Sequence, residues 1–323
     1  MTKADQPIFP NSFPRTSFLE SIPVREDVLY SNHKGEEKAR IRGAAQNRIK
    51  KLGPTLSRLL AKDEVVLYTA SANAPMSALE TYTLGHMGKN ASRVTLVFTQ
   101  DRLLAFRVDR SGNWRSSTCG CPYADFASIK IDGLITRYLR LKFASGKKVN
   151  YWSLQRAEAK TLKQVLPALQ QASVGNPHAN SGMVQYCPNC SAQLTPRVYE
   201  CSNCHQMFRN ESSLFWRVLI PGGAYFYAGQ SGLGVLHAIV DSLISLDLLM
   251  VGITLFSGIA SGKLVGAALS DTEAAFVYVL AVTILEKLVA VFHARRFIRE
   301  FIPVEGTSHQ QKLQAAGTSL GGA

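Results

Sequence analysis

Hydrophobic positions follow three different patterns along this chain. Between residues 62 and 154 they come in short runs: "EVVLYTAS", "SRVTLVFT", "RLLAFRVD", "WRSSTCGC", "DFASIKID", "TRYLRLKFA" and "KKVNYWSL". Turn signals such as "DRSGN" and "ASGKK" separate them, as expected of strands joined by tight connections. In "TRYLRLKFA", Leu139, Leu141 and Phe143 fall on one face and Tyr138, Arg140 and Lys142 on the other, the alternation of a half-buried strand. The pattern then changes to a helical period in "QRAEAKTLKQVLPALQQA", where Ala157, Leu162, Val165 and Leu169 share a face. Seven strands and a closing helix predict a small antiparallel barrel or sandwich over residues 62–172.

The third pattern is nearly continuous. Leu233 to Phe256 and Ala274 to Phe292 are apolar runs of 24 and 19 residues, close to the ~20 that cross a bilayer as a helix. Between Arg217 and Lys263 the only charged residues are Asp241 and Asp247. The spans are expected near 233–256 and 274–292, within a membrane domain over 214–302. Its first part, 214–230, is broken by Pro221-Gly222-Gly223 and reads as an interfacial segment, with Trp216, Tyr225 and Tyr227 at headgroup level.

Elsewhere periodicity fails or is polar. Residues 1–34 are rich in Pro and Ser and are expected to form a flexible arm. Residues 35–61 predict a basic helical segment, in which Pro54 opens a second short helix. Its Lys38, Arg40, Arg42, Arg48, Lys50 and Lys51 form no single stripe and read as a solvated face. Residues 173–185 read as a linker and 303–323 as a flexible tail.

Charge divides the chain and orients it. Residues 1–175 hold 27 Lys/Arg against 14 Asp/Glu, whereas 176–323 hold 9 against 9, so the net +13 lies wholly in the first part. Such a surface suits an anionic partner, a nucleic acid or acidic lipid headgroups, or a protein partner. Arg209 and Arg217 precede the first span and Arg295, Arg296 and Arg299 follow the second. By the positive-inside rule both termini are expected in the cytoplasm, at an inner membrane if the chain is bacterial. Asp241 and Lys287 would then lie at similar depth, about 12–14 Å from the cytoplasmic edge, and are expected to pair and pin the hairpin register. His237, one turn before Asp241, can extend that pair.

The remaining chemistry is in "CPNCSAQLTPRVYECSNCH", residues 187–205. The last five residues alone match the attachment pattern of a c-type haem. The whole stretch matches two zinc knuckles, Cys187/Cys190 and Cys201/Cys204, ten residues apart. Zinc uses all four thiols and suits a cytoplasmic location; haem leaves two unexplained and requires export. A structural zinc ribbon over 186–210 is therefore expected, with His205 outside the ligand set. Cys119 and Cys121, two apart on a strand, read as ordinary buried thiols.

The run order, with "DEVVLYTA", "VTLVFTQDRLLAFRVD", "YADFASIKI" and the Gly-Lys turn before the last strand, resembles a pleckstrin-homology-like domain of the bacterial, GRAM-related type. The resemblance covers about residues 62–172. Phosphoinositide binding is not carried over, because the loop that carries the basic ligands in relatives holds only Lys89 and Arg93 here. Pro221, Gly222, Tyr227 and Gly229 likewise resemble the opening of small two-span membrane domains. The fold class expected is thus an α+β multidomain membrane protein: a pleckstrin-like barrel, a zinc ribbon and a transmembrane hairpin.

No nucleophile–base pair, phosphate-cradling loop or paired carboxylates occur in a coherent setting. A non-enzymatic, membrane-anchored binding or scaffold protein is expected. The alternative is a subunit of an oligomeric transporter or membrane enzyme using His237, Asp241, Glu286 and Lys287. Nucleic-acid binding is disfavoured, since Arg197 is the only basic residue between the knuckles.

Overall fold

The computed structural model describes residues 16–172, 182–262 and 267–304; the outer parts of the expected arm, linker and tail lie outside them. The chain divides into two units, residues 1–205 and 206–323.

In the first unit the strands are β1 (Thr16–Leu19), β2 (Ile22–Arg25), β3 (Val66–Asn73), β4 (Arg93–Thr99), β5 (Arg102–Val108), β6 (Trp114–Pro122), β7 (Phe126–Asp132), β8 (Arg137–Phe143), β9 (Lys148–Leu154), β10 (Val184–Tyr186) and β11 (Gln193–Leu194). Its helices are α1 (Glu26–Leu29), α2 (Ala39–Leu59), α3 (Ala78–Ala91) and α4 (Arg156–Ala172). Strands β3–β6 form one antiparallel meander and β7–β9 another, and the two meet through Asn73 on β3 and Trp152 on β9. Leu96, Phe98, Leu103, Leu139, Leu141 and Phe143 fill the space between the meanders. Helix α4 closes it with Leu162, Val165 and Leu169. Ala159 is buried there, whereas Ala157, two residues earlier and on the opposite side of the helix, is exposed.

A second core lies on the other face of the first meander. Val97, Leu104 and Phe106 point into it and meet Ile49, Leu52 and Leu56 of α2. This two-sided burial explains why "VTLVFT" and "LLAF" read as unbroken apolar runs instead of alternating. The three α2 residues are at most 1 % exposed, each contributing about 1.5–3 kcal/mol of burial.

That core corrects three expectations. Residues 16–34 are not an arm where described: Ile22, Val24, Leu29 and Tyr30 are buried, and Val24 pairs in parallel with Val66. The β1–β2 turn, Glu20-Ser21, takes positive φ at both residues without the Asn-Gly that usually announces such a hairpin. Pro54 does not divide the basic segment; it lies inside the single helix α2. Proline removes one hydrogen bond from a helix, but the Ile49–Leu52–Leu56 stripe keeps both sides of it docked. Third, Arg48 is not on a solvated face: its guanidinium pairs with Glu158 of α4 and donates to the Thr69 carbonyl at 3.0 Å. Helix α3 was not expected. Its signal is a capping box, in which Ser77 Oγ accepts from Glu80 N–H and Glu80 Oε2 from Ser77 N–H.

Glu64 and Arg102 knit the unit together. Arg102 Nε and Nη2 donate to the two Glu64 oxygens at 2.9 and 2.8 Å, and Thr99 Oγ1 donates to Oε1 at 2.7 Å. Burial alone would raise the Glu64 pKa, but Arg102, the Ala61 N–H and Thr99 together hold it below the ordinary carboxylate value. A folded pKa below the unfolded one makes this stabilisation present above about pH 4.3 and lost as the pH falls through the lower folded value. Arg102→Met would leave a buried unpaired carboxylate and is expected to cost about 3–5 kcal/mol. The melting temperature of the variant should also fall less steeply on acidification than that of the wild type; an unchanged acid limb would refute the assignment.

The second unit contains α5 (Glu211–Arg217), α6 (Gly223–Tyr227), α7 (Ser231–Ala260) and α8 (Ala267–Ile298). Helices α7 and α8 are both long and apolar enough to cross a membrane. Their outward surface is apolar, with Leu243 63 % and Phe256 77 % exposed, a surface that water would not favour and lipid tails would. The two ends of the unit are tied together: Arg209 N–H donates to the Ile302 carbonyl at 2.9 Å and Val304 N–H to Met207 at 3.0 Å.

Candidate metal centre and intramembrane polar cluster

Each Cys-x-x-Cys knuckle is shaped by its own backbone. Ser191 N–H donates to the Cys187 carbonyl and His205 N–H to the Cys201 carbonyl, both at 2.9 Å. Ser191 and His205, each just after the second cysteine of a knuckle, take φ of +62° and +56°. These left-handed residues turn the chain back so that both thiols of a pair point the same way.

The two knuckles face each other. Cys187 Sγ is 3.6 Å from Cys204 Sγ, and Cys190 Sγ is 3.5 Å from Cys201 Sγ. The four sulfurs all lie within 4.8 Å of one another and none is in a disulfide. A tetrahedral ion with metal–sulfur bonds of ~2.3 Å needs sulfurs ~3.8 Å apart, so this cluster can hold one metal ion. Burial raises the Cys190 thiol pKa, but hydrogen bonds from Asn203, the Ala192 N–H and the neighbouring thiols bring it down to about 7; burial dominates at Cys187 and pushes its thiol up. His205 is exposed and its Nδ1 lies 2.9 Å from Glu200 Oε1, away from the sulfurs. Cys121 is fully buried and 3.5 Å from Asp125 Oδ2.

The metal centre does not hang on a linker. Val184 and Gln185, expected to be linker, instead form β10 with Tyr186 and extend the sheet by pairing with Gly120, Cys119 and Thr118 of β6. The Tyr186 ring enters the second core, and its hydroxyl accepts from Arg102 Nη1 at 3.2 Å. A Cβ on Gly120 would come within 2.6 Å of Leu104 Cδ2 and 3.0 Å of Tyr186 Cε2. The missing side chain at Gly120 leaves room for Leu104 and Tyr186 where β10, which leads into the knuckles, pairs with β6.

In the second unit the structure brings Asp241, Lys287 and His237 into one cluster. Lys287 Nζ lies 2.8 Å from Asp241 Oδ2, which also accepts from the Gly222 N–H at 2.7 Å. His237 Nδ1 is 3.0 Å from Glu286 Oε1. Tyr225 and His293 complete it: the Tyr225 hydroxyl is 2.9 Å from His293 Nδ1, and its ring lies 4.3 Å from that of His237. Tyr225 is fully buried, which corrects its expected place at headgroup level; an aromatic residue in a membrane entry carries no mark distinguishing a belt from a core. Trp216 is 70 % exposed, and Tyr227 lies beneath Arg209 and Arg217.

The Pro221-Gly222 turn is seated directly on α7. Gly222 has φ +65°, and a Cβ there would meet the Gly234 carbonyl oxygen at 2.1 Å. Gly222→Ala should therefore exceed the ~1–2 kcal/mol of left-handed strain alone. Gly35→Ala, at φ +75° with nothing within 4 Å, isolates that strain. The detergent melting temperature should fall much further for Gly222→Ala; equal losses would disprove the backbone contact.

No protein-family model and no curated protein matches this chain.

Proposed function

We propose that this protein is a non-enzymatic, membrane-anchored binding or scaffold protein, with a pleckstrin-like domain, a structural zinc ribbon and a two-span helical anchor. The observation that carries the reading is that its chemically suggestive groups are already engaged in holding the fold. Four thiols close on one another, and Asp241 is used by Lys287 and Gly222. Zinc suits the donor set: all-thiolate tetrahedral sites are structural and leave no open position for a catalytic water. The two meanders joined through β3–β9 and closed by α4 support the pleckstrin-like resemblance. The arginines flanking α7 and α8 support cytoplasmic termini, at an inner membrane if the source is bacterial. Acidic lipid headgroups or a protein partner would meet the basic first unit.

The test is crosslinking and affinity capture of the intact protein from native membranes. A stoichiometric protein partner is expected; recovery of a homo-oligomer that conducts a solute would overturn the reading. That second outcome corresponds to a transporter or membrane-enzyme subunit, favoured by the His237–Glu286 and Tyr225–His293 pairs, since intramembrane ionisable groups often mark pathways.

A further inference from the structure

A cavity of about 650 Å³ opens in the first unit between α2, β3 and the start of α4. It lies outside the loops by which the pleckstrin-like resemblance would suggest a ligand, because α2 builds one of its walls. Its lining is strongly basic, with Lys38, Arg40, Arg156 and Lys160 at the exposed rim. The acidic residue in the lining, Glu158, is spent: Arg48 binds one oxygen and the Ser71 N–H donates to the other at 3.2 Å. Arg40, Arg156 and Lys160 make no ion pair among the described residues.

Two further features suit an anion. Gln155, Arg156, Ala157 and Glu158 all line the cavity, so the first-turn N–H groups of the 17-residue α4 border it with the positive end of the helix dipole. Thr69, also in the lining, is 2 % exposed, and its Oγ1 has no hydrogen-bond partner. A buried hydroxyl without a partner is costly, and a ligand oxygen in the cavity would relieve that cost. Leu29, Ala45 and Tyr68 add an apolar floor. Charged rim, polar donor and apolar floor together fit an esterified phosphate better than a bare inorganic ion.

We propose that this cavity binds a phosphate monoester, its charge received by Arg40, Arg156 and Lys160 and its organic part lying on the floor. The ester can be a soluble metabolite or the headgroup of an acidic lipid; both present the same chemistry. The proposal deepens the binding role above and rests on it, but it needs only the fold of the first unit.

The full-length protein in nanodiscs of phosphatidylcholine alone is titrated with glycerol 3-phosphate and with water-soluble dihexanoyl phosphatidate. Saturable binding is expected, weakened about tenfold or more by Arg40→Gln/Arg156→Gln, since two charge-assisted hydrogen bonds to the phosphate are lost. Both residues are exposed, so the fold should survive. Lys130→Gln/Lys142→Gln removes the same charge from exposed positions on β7 and β8 and should leave binding unchanged. Tight binding of glycerol 3-phosphate identifies a soluble ester; binding of the phosphatidate alone identifies a lipid headgroup. No saturation with either probe, or equal weakening by the two double variants, overturns the site. That failure would leave a captured protein partner intact as support for the scaffold role.

Discussion

Cys201→Ser is expected to release the metal ion. One zinc per chain should be measured in the purified wild-type protein, and close to none in the variant. Cys201 is fully buried and sits 3.5 Å from Cys190 Sγ, so no water can replace its thiolate without opening the knuckle. Structural zinc contributes about 10–16 kcal/mol in small domains that have no other core. The cysteine stretch here is partly exempt from that dependence, because β10 is already paired with β6 and Tyr186 is buried in the second core. Loss should therefore be local. Limited proteolysis should cut between residues 187 and 205, while strands β3–β9 stay protected. His205→Ala should retain its zinc, since the imidazole faces Glu200. Zinc absent from the wild type, or lost equally in His205→Ala, would refute a four-thiolate structural site. A haem absorption spectrum would refute it in another way.

The second large effect is expected at the Asp241–Lys287 pair between α7 and α8. Asp241 is 4 % exposed and serves two donors with one oxygen: Lys287 Nζ at 2.8 Å and the Gly222 N–H at 2.7 Å. Lys287→Met leaves the carboxylate buried without its cation and should cost about 3–5 kcal/mol. Asp241→Asn weakens both contacts at once and should cost at least as much. In the double variant Asp241→Asn/Lys287→Met neither member of this pair is left charged opposite a missing partner, so the loss should be smaller than the sum of the two single losses. Unfolding of the detergent-solubilised protein by sodium dodecyl sulfate measures all three. Strict additivity would mean that the two side chains are not coupled, and an unchanged unfolding profile in either single variant would remove the pair from the anchor.

Much of the first unit was legible because its signals are local. The seven runs between residues 64 and 154 match β3 to β9 to within two residues, since side-chain alternation and turn residues depend only on the nearest neighbours in sequence. Helix α3 carries a local signal too, the Ser77/Glu80 capping box, set among Gly and Met residues that blur its period. The four cysteines announced their own meeting, because two knuckles at that spacing have few other uses.

Other features could not be read this way. Ile22 and Val24 sit in a short, Pro-containing stretch, and nothing local says that α2 and β3 supply the other half of their core. Arg48 looked solvated because its partner Glu158 is 110 residues away. Tyr225 looked interfacial because His293 is 68 residues away. Periodicity along the chain determined which segments are strands, helices or membrane-length runs, for it reports only that a face needs burial. The tertiary structure alone decided what covers each face, because that choice depends on contacts between segments whose separation leaves no trace in local sequence.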